Sequence, residues 1–229
     1  MKIGILGSGD VGRRLGDGFI ELGHTVKIGT RNPNKKEVVQ WLNKHGVEKE
    51  KAFAGSFAES ANYGEIIVVA TLWDGTINAI KMADPNNFDD KIVIDATNPL
   101  DFSNGMTPKL ALGFSDSAGE TVQRLIPKAK VVKAFNTVGN PHFLHPEFPN
   151  GGPPTMFICG NDNQAKKFVT DSILTKLGWE TMDIGEIKES RLLEPLALLW
   201  ITCYLRTSNG DHAFKLLRNN YNLKKKIKK

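Results

Sequence analysis

Three glycines near the start of the chain have the spacing of a phosphate-binding loop. Gly7, Gly9 and Gly12 form the pattern Gly-x-Gly-x-x-Gly, directly after the apolar run Ile3–Leu6 and at the start of a predicted helix. The first glycine permits a sharp turn, the second lets the backbone approach a pyrophosphate, and the third lets the helix pack tightly on the sheet. Rather than an unrelated tight turn, we predict a dinucleotide-binding loop formed by Gly7, Ser8, Gly9, Asp10, Val11 and Gly12.

The residues after the second predicted strand indicate which dinucleotide is bound. An NAD-binding chain has Asp or Glu at this position, about 20 residues after the loop, to bind the ribose hydroxyls. This chain instead has Gly29, Thr30 and Arg31, with Lys35 shortly afterwards. We interpret Gly29 as leaving space, Thr30 as a hydroxyl donor and Arg31 as a planar fork for a phosphate. The pattern predicts NADP(H); the alternative is a solvated Arg31 and a capping Thr30.

Polar residues also follow three later predicted strands. In an open α/β sheet, ligands lie across the carboxyl ends of the strands. Asn and Thr side chains there can hold ribose hydroxyls and a carboxamide, while Leu72 or Val138 can pack on a nicotinamide ring. Each residue alone is more typical of a turn, so the prediction depends on their occurrence at matching strand ends. The residues predicted for this end are Thr71, Leu72, Trp73, Asn98, Asn136, Thr137 and Val138.

Strands alternate with helices along the chain, which predicts a Rossmann-type α/β fold with a doubly wound parallel sheet and a short C-terminal helical extension. The predicted strands are Ile3–Leu6, Thr25–Ile28, Lys51–Phe53, Ile66–Ala70, Ile92–Asp95, Lys130–Phe135, Thr155–Cys159 and Trp179–Asp183. The predicted helices are Val11–Leu22, Lys35–Lys44, Ser56–Asn62, Thr76–Met82, Ser117–Leu125, Asn163–Leu177 and most of 188–218, interrupted near Ser208–Gly210. The proline-rich segment 140–155 is predicted to be a loop. We place the dinucleotide-binding domain at residues 1–185 and the extension, with its basic tail, at 186–229.

The bulk composition is that of an ordinary globular protein, with 229 residues, 40% of them apolar and 24% charged. The net charge of +5 arises from the five lysines in the last six residues, since the rest of the chain has equal numbers of basic and acidic residues. We interpret this tail as solvated, the alternative being contact with an acidic partner. Without a basic stripe interleaved with aromatic residues, nucleic-acid binding is rejected.

Cysteine usage and the apolar runs predict a cytoplasmic protein with no membrane segment. Cys159 and Cys203 belong to no paired motif, which is typical of a reducing compartment. The first strand follows Met1-Lys2 directly, so no signal peptide is expected. The longest apolar stretch is much shorter than the about 20 residues that a transmembrane helix needs.

Taken together, these motifs resemble those of the NADP-dependent coenzyme F420 oxidoreductases, and they are also similar to the NADPH-binding domain of the six-transmembrane metalloreductases. The resemblance implies that Thr30, Arg31 and Lys35 bind the 2′-phosphate. It also implies that residues 71–73 and 136–138 line the nicotinamide, and that hydride passes directly between nicotinamide and deazaflavin, so no catalytic acid or base is predicted. The segments that carry it are Gly7–Gly12, Gly29–Arg31, Asn98–Pro99, Ala134–Thr137 and Ser190–Glu194.

Three departures from the family pattern concern the hydride acceptor. Leu72 stands where many relatives have proline, Asn136 matches the metalloreductases better than the F420 enzymes, and the loop after Gly139 is long. Coenzyme F420, FMN, FAD, a quinone and an iron chelate therefore remain open as the small-molecule redox partner. Two other functions also remain open: a reductase of a small carbonyl or imine, which the short segment after Asp183 disfavours, and a non-catalytic NADPH-sensing module.

Two further features bear on metals and on assembly. His142 and His145 supply two ligands without a third, so no metal site is predicted. An apolar stripe at helical spacing marks the C-terminal helix, and it either packs on the chain's own sheet or forms a dimer interface. The family resemblance favours a homodimer. The stripe consists of Leu192, Leu193, Leu196, Leu199, Trp200 and Cys203.

Overall fold

The apolar runs of the sequence form the central strands of one sheet, as in Ile66–Val69, which is buried throughout. The computed structural model describes residues 1–149 and 151–218, apart from the side chains of 46–49, so the lysine-rich segment 224–229 lies outside the described residues. The strands are β1 (Lys2–Leu6), β2 (Thr25–Gly29), β3 (Ala52–Gly55), β4 (Ile66–Val69), β5 (Ile92–Asp95), β6 (Leu100–Asp101), β7 (Lys109–Leu110), β8 (Lys130–Lys133), β9 (Thr155–Gly160) and β10 (Glu180–Asp183). The α-helices are α1 (Asp10–Glu21), α2 (Lys36–Lys49), α3 (Phe57–Tyr63), α4 (Trp73–Met82), α5 (Ala118–Leu125), α6 (Asn163–Val169) and α7 (Ser190–Thr207).

The main sheet confirms the predicted Rossmann-type α/β fold. Its strand order is β10-β9-β8-β5-β4-β1-β2-β3, while β6 and β7 form a separate hairpin. The strands from β1 to β5, together with β8, pair in parallel. The order reverses between β1 and β4, and ligands of such sheets bind in the crevice outside the carboxyl ends at this point. The glycine loop and the end of β4 border that crevice.

The predicted parallel sheet contains one antiparallel pair, near one end. β9 pairs with β8 in the antiparallel sense, and β10 is parallel to β9. A parallel connection needs a crossover, usually a helix. Among its described residues, the segment after β8 instead contains one short 3₁₀ turn, Asn140–His142, within the predicted proline-rich loop. The chain therefore enters β9 from the carboxyl side of the sheet.

Helices cover both faces of the sheet and bury two apolar cores. One core joins α1, α2 and α6 through residues such as Phe19, Trp41 and Val169. The other joins α3, α4, α5 and α7 through residues such as Ile80 and Leu193. The helix α6 continues into a π-type turn at Thr170–Leu174. Together the two cover most of the predicted helix Asn163–Leu177.

The C-terminal region differs from its prediction beyond Ser208. This residue adopts a left-handed conformation, with φ 52°, and ends α7. Residues 209–218 form neither helix nor strand, and the carbonyl of Phe214 accepts a hydrogen bond from Thr155 N at 2.9 Å. The predicted boundary near residue 185 falls between β10 and α7, and the independence of the two parts stays a prediction. In the described part of the chain, no helix is both long and apolar enough to span a bilayer.

Candidate functional site

The glycine loop has the shape that a pyrophosphate requires. Gly7 has φ +125°, and a Cβ atom there would lie 2.3 Å from the carbonyl oxygen of Ala70, so only glycine fits this turn. A Cβ atom on Gly12 would lie 2.1 Å from the oxygen of Gly7, because α1 packs directly on the turn. Beside Gly9, by contrast, a Cβ atom would meet nothing within 4 Å. The open space therefore lies over Gly9, at the N-terminus of α1, where phosphate oxygens bind backbone N–H groups.

The loop is joined to the end of β2 by two hydroxyl groups. Ser8 Oγ donates a hydrogen bond to Thr30 Oγ1 at 3.0 Å, and Thr30 is buried. Arg31 is exposed, and Lys35 Nζ lies 3.7 Å from Glu37 Oε2. A hydroxyl pair is thus followed closely in the chain by two exposed cationic side chains, a combination that fits a phosphate monoester on the adenosine ribose.

The sequence interpretation of Gly29 needs correction. A Cβ atom on Gly29 would lie 2.8 Å from the Cβ of Ser60 and 3.1 Å from the Cα of Phe57. Both residues belong to α3, so the glycine permits close packing of this helix on the sheet. It does not leave space for the cofactor.

A residue that sequence reasoning missed supports the same loop. Arg13 Nη1 donates to the carbonyl oxygen of Ser8 at 2.6 Å, and Nη2 bonds Asp10 Oδ1 at 2.5 Å. Arg13 thereby fixes the peptide that follows Ser8 and neutralises a carboxylate in the first turn of α1. Its spacing of three residues from Asp10 was a usable signal, since such pairs face each other on a helix.

At the predicted nicotinamide end, Asn98 and Asn136 pair across β5 and β8. Asn98 Nδ2 donates to the backbone oxygen of Asn136 at 2.9 Å, and Asn136 Nδ2 donates to Asn98 Oδ1 at 3.0 Å. Phe135, with φ +65°, makes the turn that leads into Asn136. The Oδ1 atom of Asn136 is buried and has no hydrogen-bond partner among the described residues. An acceptor without a partner in this place fits the amide group of a nicotinamide.

The other predicted residues of this end differ in exposure. Thr71 lies between β4 and α4, and its Oγ1 is 2.8 Å from the Oγ1 of Thr76 in α4. Leu72 is 84% exposed, and Trp73 begins α4. Thr137 and Val138 are both buried, Val138 as part of the apolar core. The structure therefore places all seven residues at the carboxyl ends of β4, β5 and β8, with Leu72 the most open to an incoming ring.

Beneath the asparagine pair lies a fully buried charge cluster that sequence reasoning also missed. Lys133 Nζ lies 2.9 Å from Asp95 Oδ2 and 2.7 Å from Glu194 Oε1, and the three side chains are at most 1% exposed. Burial alone lowers the pKa of Lys133, but attraction to both carboxylates outweighs burial and leaves the pKa above its usual value. The ammonium is therefore charged and sealed from solvent, so it is not a proton donor to a bound substrate.

These observations fit NADP(H) at each of its parts. The open space at Gly9 would hold the pyrophosphate, while Ser8, Thr30, Arg31 and Lys35 would hold the 2′-phosphate. The free oxygen of Asn136 would face the carboxamide. Fold and site thus define a dinucleotide-binding protein of the Rossmann type.

Comparison with known proteins narrows this class. Residues 2–99 match the family model described as NADP oxidoreductase, coenzyme F420-dependent. A crystal structure from Arthrobacter sp. FB24, assigned as an F420-dependent NADP reductase, is 36% identical with a TM-score of 0.88, covering 95% of this chain and 100% of the other. The F420-dependent NADP reductase of Methanocaldococcus jannaschii is 29% identical over 88% of this chain and 91% of its own length.

The metalloreductase STEAP3 of Rattus norvegicus is 30% identical over 86% of this chain, which spans only 37% of that longer protein. Full coverage of the Arthrobacter protein at 36% identity decides the family. The chain belongs to the F420-dependent NADP reductase family and is an NADP-dependent oxidoreductase.

Proposed function

We propose that the protein transfers hydride directly between NADP(H) and a flavin or a deazaflavin such as coenzyme F420. One observation carries this proposal: none of the seven residues of the predicted nicotinamide end has a titratable side chain. Its seven residues are Thr71, Leu72, Trp73, Asn98, Asn136, Thr137 and Val138. The neighbouring Asp95, Lys133 and Glu194 are sealed within their own cluster. Hydride transfer between two rings needs positioning rather than a protein acid or base.

When bound, NADPH supplies the hydride at its nicotinamide ring. The chain's own contribution is geometric, since reacting atoms must be held about 3–3.5 Å apart. The glycine loop and the Ser8–Thr30 pair would anchor the phosphates, and the Asn98–Asn136 pair would orient the carboxamide. Both anchors lie on strand ends of one sheet, which makes the distance between them rigid.

Exposed apolar side chains at the same edge support a planar acceptor. Leu72 is 84% exposed after β4, and the segment after β5 carries Phe102 and Met106, which are 52% and 82% exposed. Isolated exposed apolar residues are ordinary, but several beside a cofactor cleft are typical of a ligand surface. These residues would shield the reacting rings from water.

The test is anaerobic oxidation of NADPH with a panel of acceptors. The panel holds coenzyme F420, FMN, FAD, a quinone, a ferric chelate and a cyclic imine. With NADPH deuterated at the transferred position, we expect a primary isotope effect and deuterium on the ring carbon of the reduced deazaflavin. Turnover of the imine alone would favour a carbonyl or imine reductase. Binding of NADPH without turnover of any acceptor would favour a sensing module.

We also propose that the active form is a homodimer joined through α7. This helix buries Leu193 and Ala197 against its own sheet, yet Leu192 and Leu199 on its other side are 62% and 51% exposed. The inward side accounts for only part of the predicted stripe, and a second copy of the chain would cover the rest. A dimeric mass in light scattering is expected at micromolar concentration, and Leu192→Glu together with Leu199→Glu should give the monomer.

A further inference from the structure

Glu194 lies on α7 but is bonded to two other elements. Its carboxylate oxygens accept hydrogen bonds from the backbone N–H groups of Ala118 and Gly119, each at 3.0 Å, in the first turn of α5. Oε1 also accepts from Lys133 Nζ at 2.7 Å, at the end of β8. The side chain is 1% exposed. One carboxylate therefore joins α7, α5 and the sheet.

Beyond Lys133 the connection continues to β5. Lys133 Nζ donates to Asp95 Oδ2 at 2.9 Å. Asp95 Oδ1 in turn accepts from the backbone N–H of Thr97 at 2.9 Å and from its hydroxyl at 2.7 Å. The bonded series thus runs from α7 to the loop that carries Asn98.

A second route reaches the asparagine pair directly. Asn136 Nδ2 donates to the backbone oxygen of Leu193 at 3.0 Å, and Leu193 immediately precedes Glu194. The same nitrogen donates to Asn98 Oδ1 at 3.0 Å. A displacement of α7 at Glu194 would therefore move the carbonyl that holds Asn136.

The charge balance argues against stability as the reason for this cluster. Two carboxylates and one ammonium give a buried net charge of −1, and taking ions out of water costs several kcal/mol each. The N-terminus of α5 offsets part of that cost. Apolar residues of similar volume are often as stable or more so. What they do not supply is a fixed hydrogen-bonded geometry at the ends of β5 and β8.

We propose that Glu194 is a positioning residue for the nicotinamide: through Lys133 and the Leu193 carbonyl it fixes the Asn98–Asn136 pair in the geometry that binds the carboxamide. The inference rests on the proposed nicotinamide end and adds to it a contribution from α7. Glu194 touches neither cofactor nor acceptor. Its effect is confined to the nicotinamide, because the adenosine anchors at Ser8 and Thr30 lie on other elements.

The decisive variant is Glu194→Gln. It leaves Lys133 and Asp95 as a neutral pair, so no unpaired charge is buried. Its amide nitrogen cannot accept from a backbone N–H, so one bond to α5 is lost and α7 shifts locally. Glu194→Met, which also leaves the neutral pair, is the second variant should the first fail to fold. Thermal unfolding reports the stability of each.

The readout is binding by calorimetry of two ligands, NADPH and 2′-phospho-ADP-ribose, which lacks only the nicotinamide. We expect wild type to bind NADPH more tightly than 2′-phospho-ADP-ribose. Either Glu194 variant should reduce this ratio of affinities about 2- to 10-fold, which corresponds to one hydrogen bond. Affinity for 2′-phospho-ADP-ribose should stay unchanged. Asn136→Ala, the direct variant, should narrow the preference at least as much.

Lys166→Met is the matched control. The Lys166 side chain is also buried, and its Nζ lies 2.9 Å from Asp183 Oδ2 on the edge strand β10. Lys166→Met should lower the thermal stability of the protein but leave its preference for NADPH over 2′-phospho-ADP-ribose unchanged. If Lys166→Met narrows the preference for NADPH over 2′-phospho-ADP-ribose as much as Glu194→Gln does, the effect arises from a general loss of stability. The inference about Glu194 is then wrong.

Different results would overturn the proposed nicotinamide site and the proposed role of Glu194. An equal affinity of wild type for both ligands, or an unaltered preference in Asn136→Ala, would overturn the nicotinamide site and the inference with it. A narrowed preference in Asn136→Ala but not in Glu194→Gln or Glu194→Met would overturn the inference alone.

Discussion

Ser8 and Thr30, 22 residues apart in the chain, are joined by a hydrogen bond of 3.0 Å between their hydroxyl oxygens. The bond links the glycine loop to the end of β2 and holds the two hydroxyl groups in one polar surface. Arg31 and Lys35 border that surface with exposed positive charge. Preorganisation of this kind favours affinity, because fewer groups must be ordered on binding.

Replacing Arg31 by alanine should weaken NADPH binding and leave NADH binding nearly unchanged. A charge-assisted hydrogen bond to the 2′-phosphate contributes about 1.5–3 kcal/mol, and NADH has no such phosphate. Calorimetric titration with both nucleotides measures the difference. Equal losses would show that Arg31 does not contact the phosphate.

Arg13 and Asp10 should act as a coupled pair. Arg13→Met releases the Ser8 carbonyl and uncovers the Asp10 carboxylate beside the pyrophosphate site. We expect NADPH affinity to fall about 3- to 10-fold. Adding Asp10→Asn should restore part of the loss, since the repelling charge is then gone. Strictly additive effects in the double-mutant cycle would contradict the coupling.

Gly9→Ala should weaken NADPH binding without destabilising the fold. Gly9 has φ −72°, and the added Cβ would meet nothing within 4 Å, so the free energy of unfolding should be nearly unchanged. The methyl group would occupy the space over the loop, and affinity for NADPH should fall about tenfold or more, which is about 1.4 kcal/mol. Undiminished binding would place the pyrophosphate elsewhere.

Gly7→Ala should instead destabilise the fold, by about 2–4 kcal/mol from backbone strain and overpacking together. Gly23→Ala is the control, because Gly23 also has a positive φ, +86°, but open space around it. The control should cost only about 1–2 kcal/mol, the strain alone. Urea denaturation measures the free energy of unfolding of the two variants. An equal loss in both would show that the contact with Ala70 contributes nothing.

The Glu120–Arg191 pair should stabilise the protein in a pH-dependent way. Arg191 donates twice to Glu120, at 2.8 and 2.6 Å, and these hydrogen bonds hold the pKa of Glu120 below its ordinary 4.5. A lowered folded pKa gives stability that is present above about pH 4.5 and is lost as the pH falls through the folded value. Arg191→Met should lower the free energy of unfolding at pH 7, modestly because the pair is partly exposed to solvent. The difference from wild type, measured by urea denaturation, should shrink below pH 4.5; a constant difference would contradict it.

Local patterns predicted most of the fold. Each strand of the main sheet was expected within a few residues, because apolar runs, glycines and helix caps are local signals. The direction of β9 and β10 was not predictable in this way. It depends on how the loop 140–155 returns to the sheet, which is a long-range property. Residues 211–218 were wrongly predicted as helix, since their contacts with Thr155 outweigh local propensity.

The site shows the same division. The glycine loop and Thr30-Arg31 could be predicted as site residues because their residue types and spacing are local signals, and their part in binding stays a prediction. Asp95, Lys133 and Glu194 were missed, because charged residues are normally exposed and these three are distant in sequence. Gly29 was found but misinterpreted, because the chain alone does not reveal that α3 packs against it.

The reversal of β9 and β10 brings α7 to the predicted nicotinamide end. Because these strands run against the other six, the chain returns towards the sheet as it leaves β10, and α7 begins close to the end of β8. Glu194 and the Leu193 carbonyl are therefore supplied by a helix that the ribosome makes after every strand of the described residues. Until α7 docks, a growing chain has the glycine loop and the Asn98–Asn136 pair. It lacks the hydrogen bonds from Glu194 and the Leu193 carbonyl that would fix this pair.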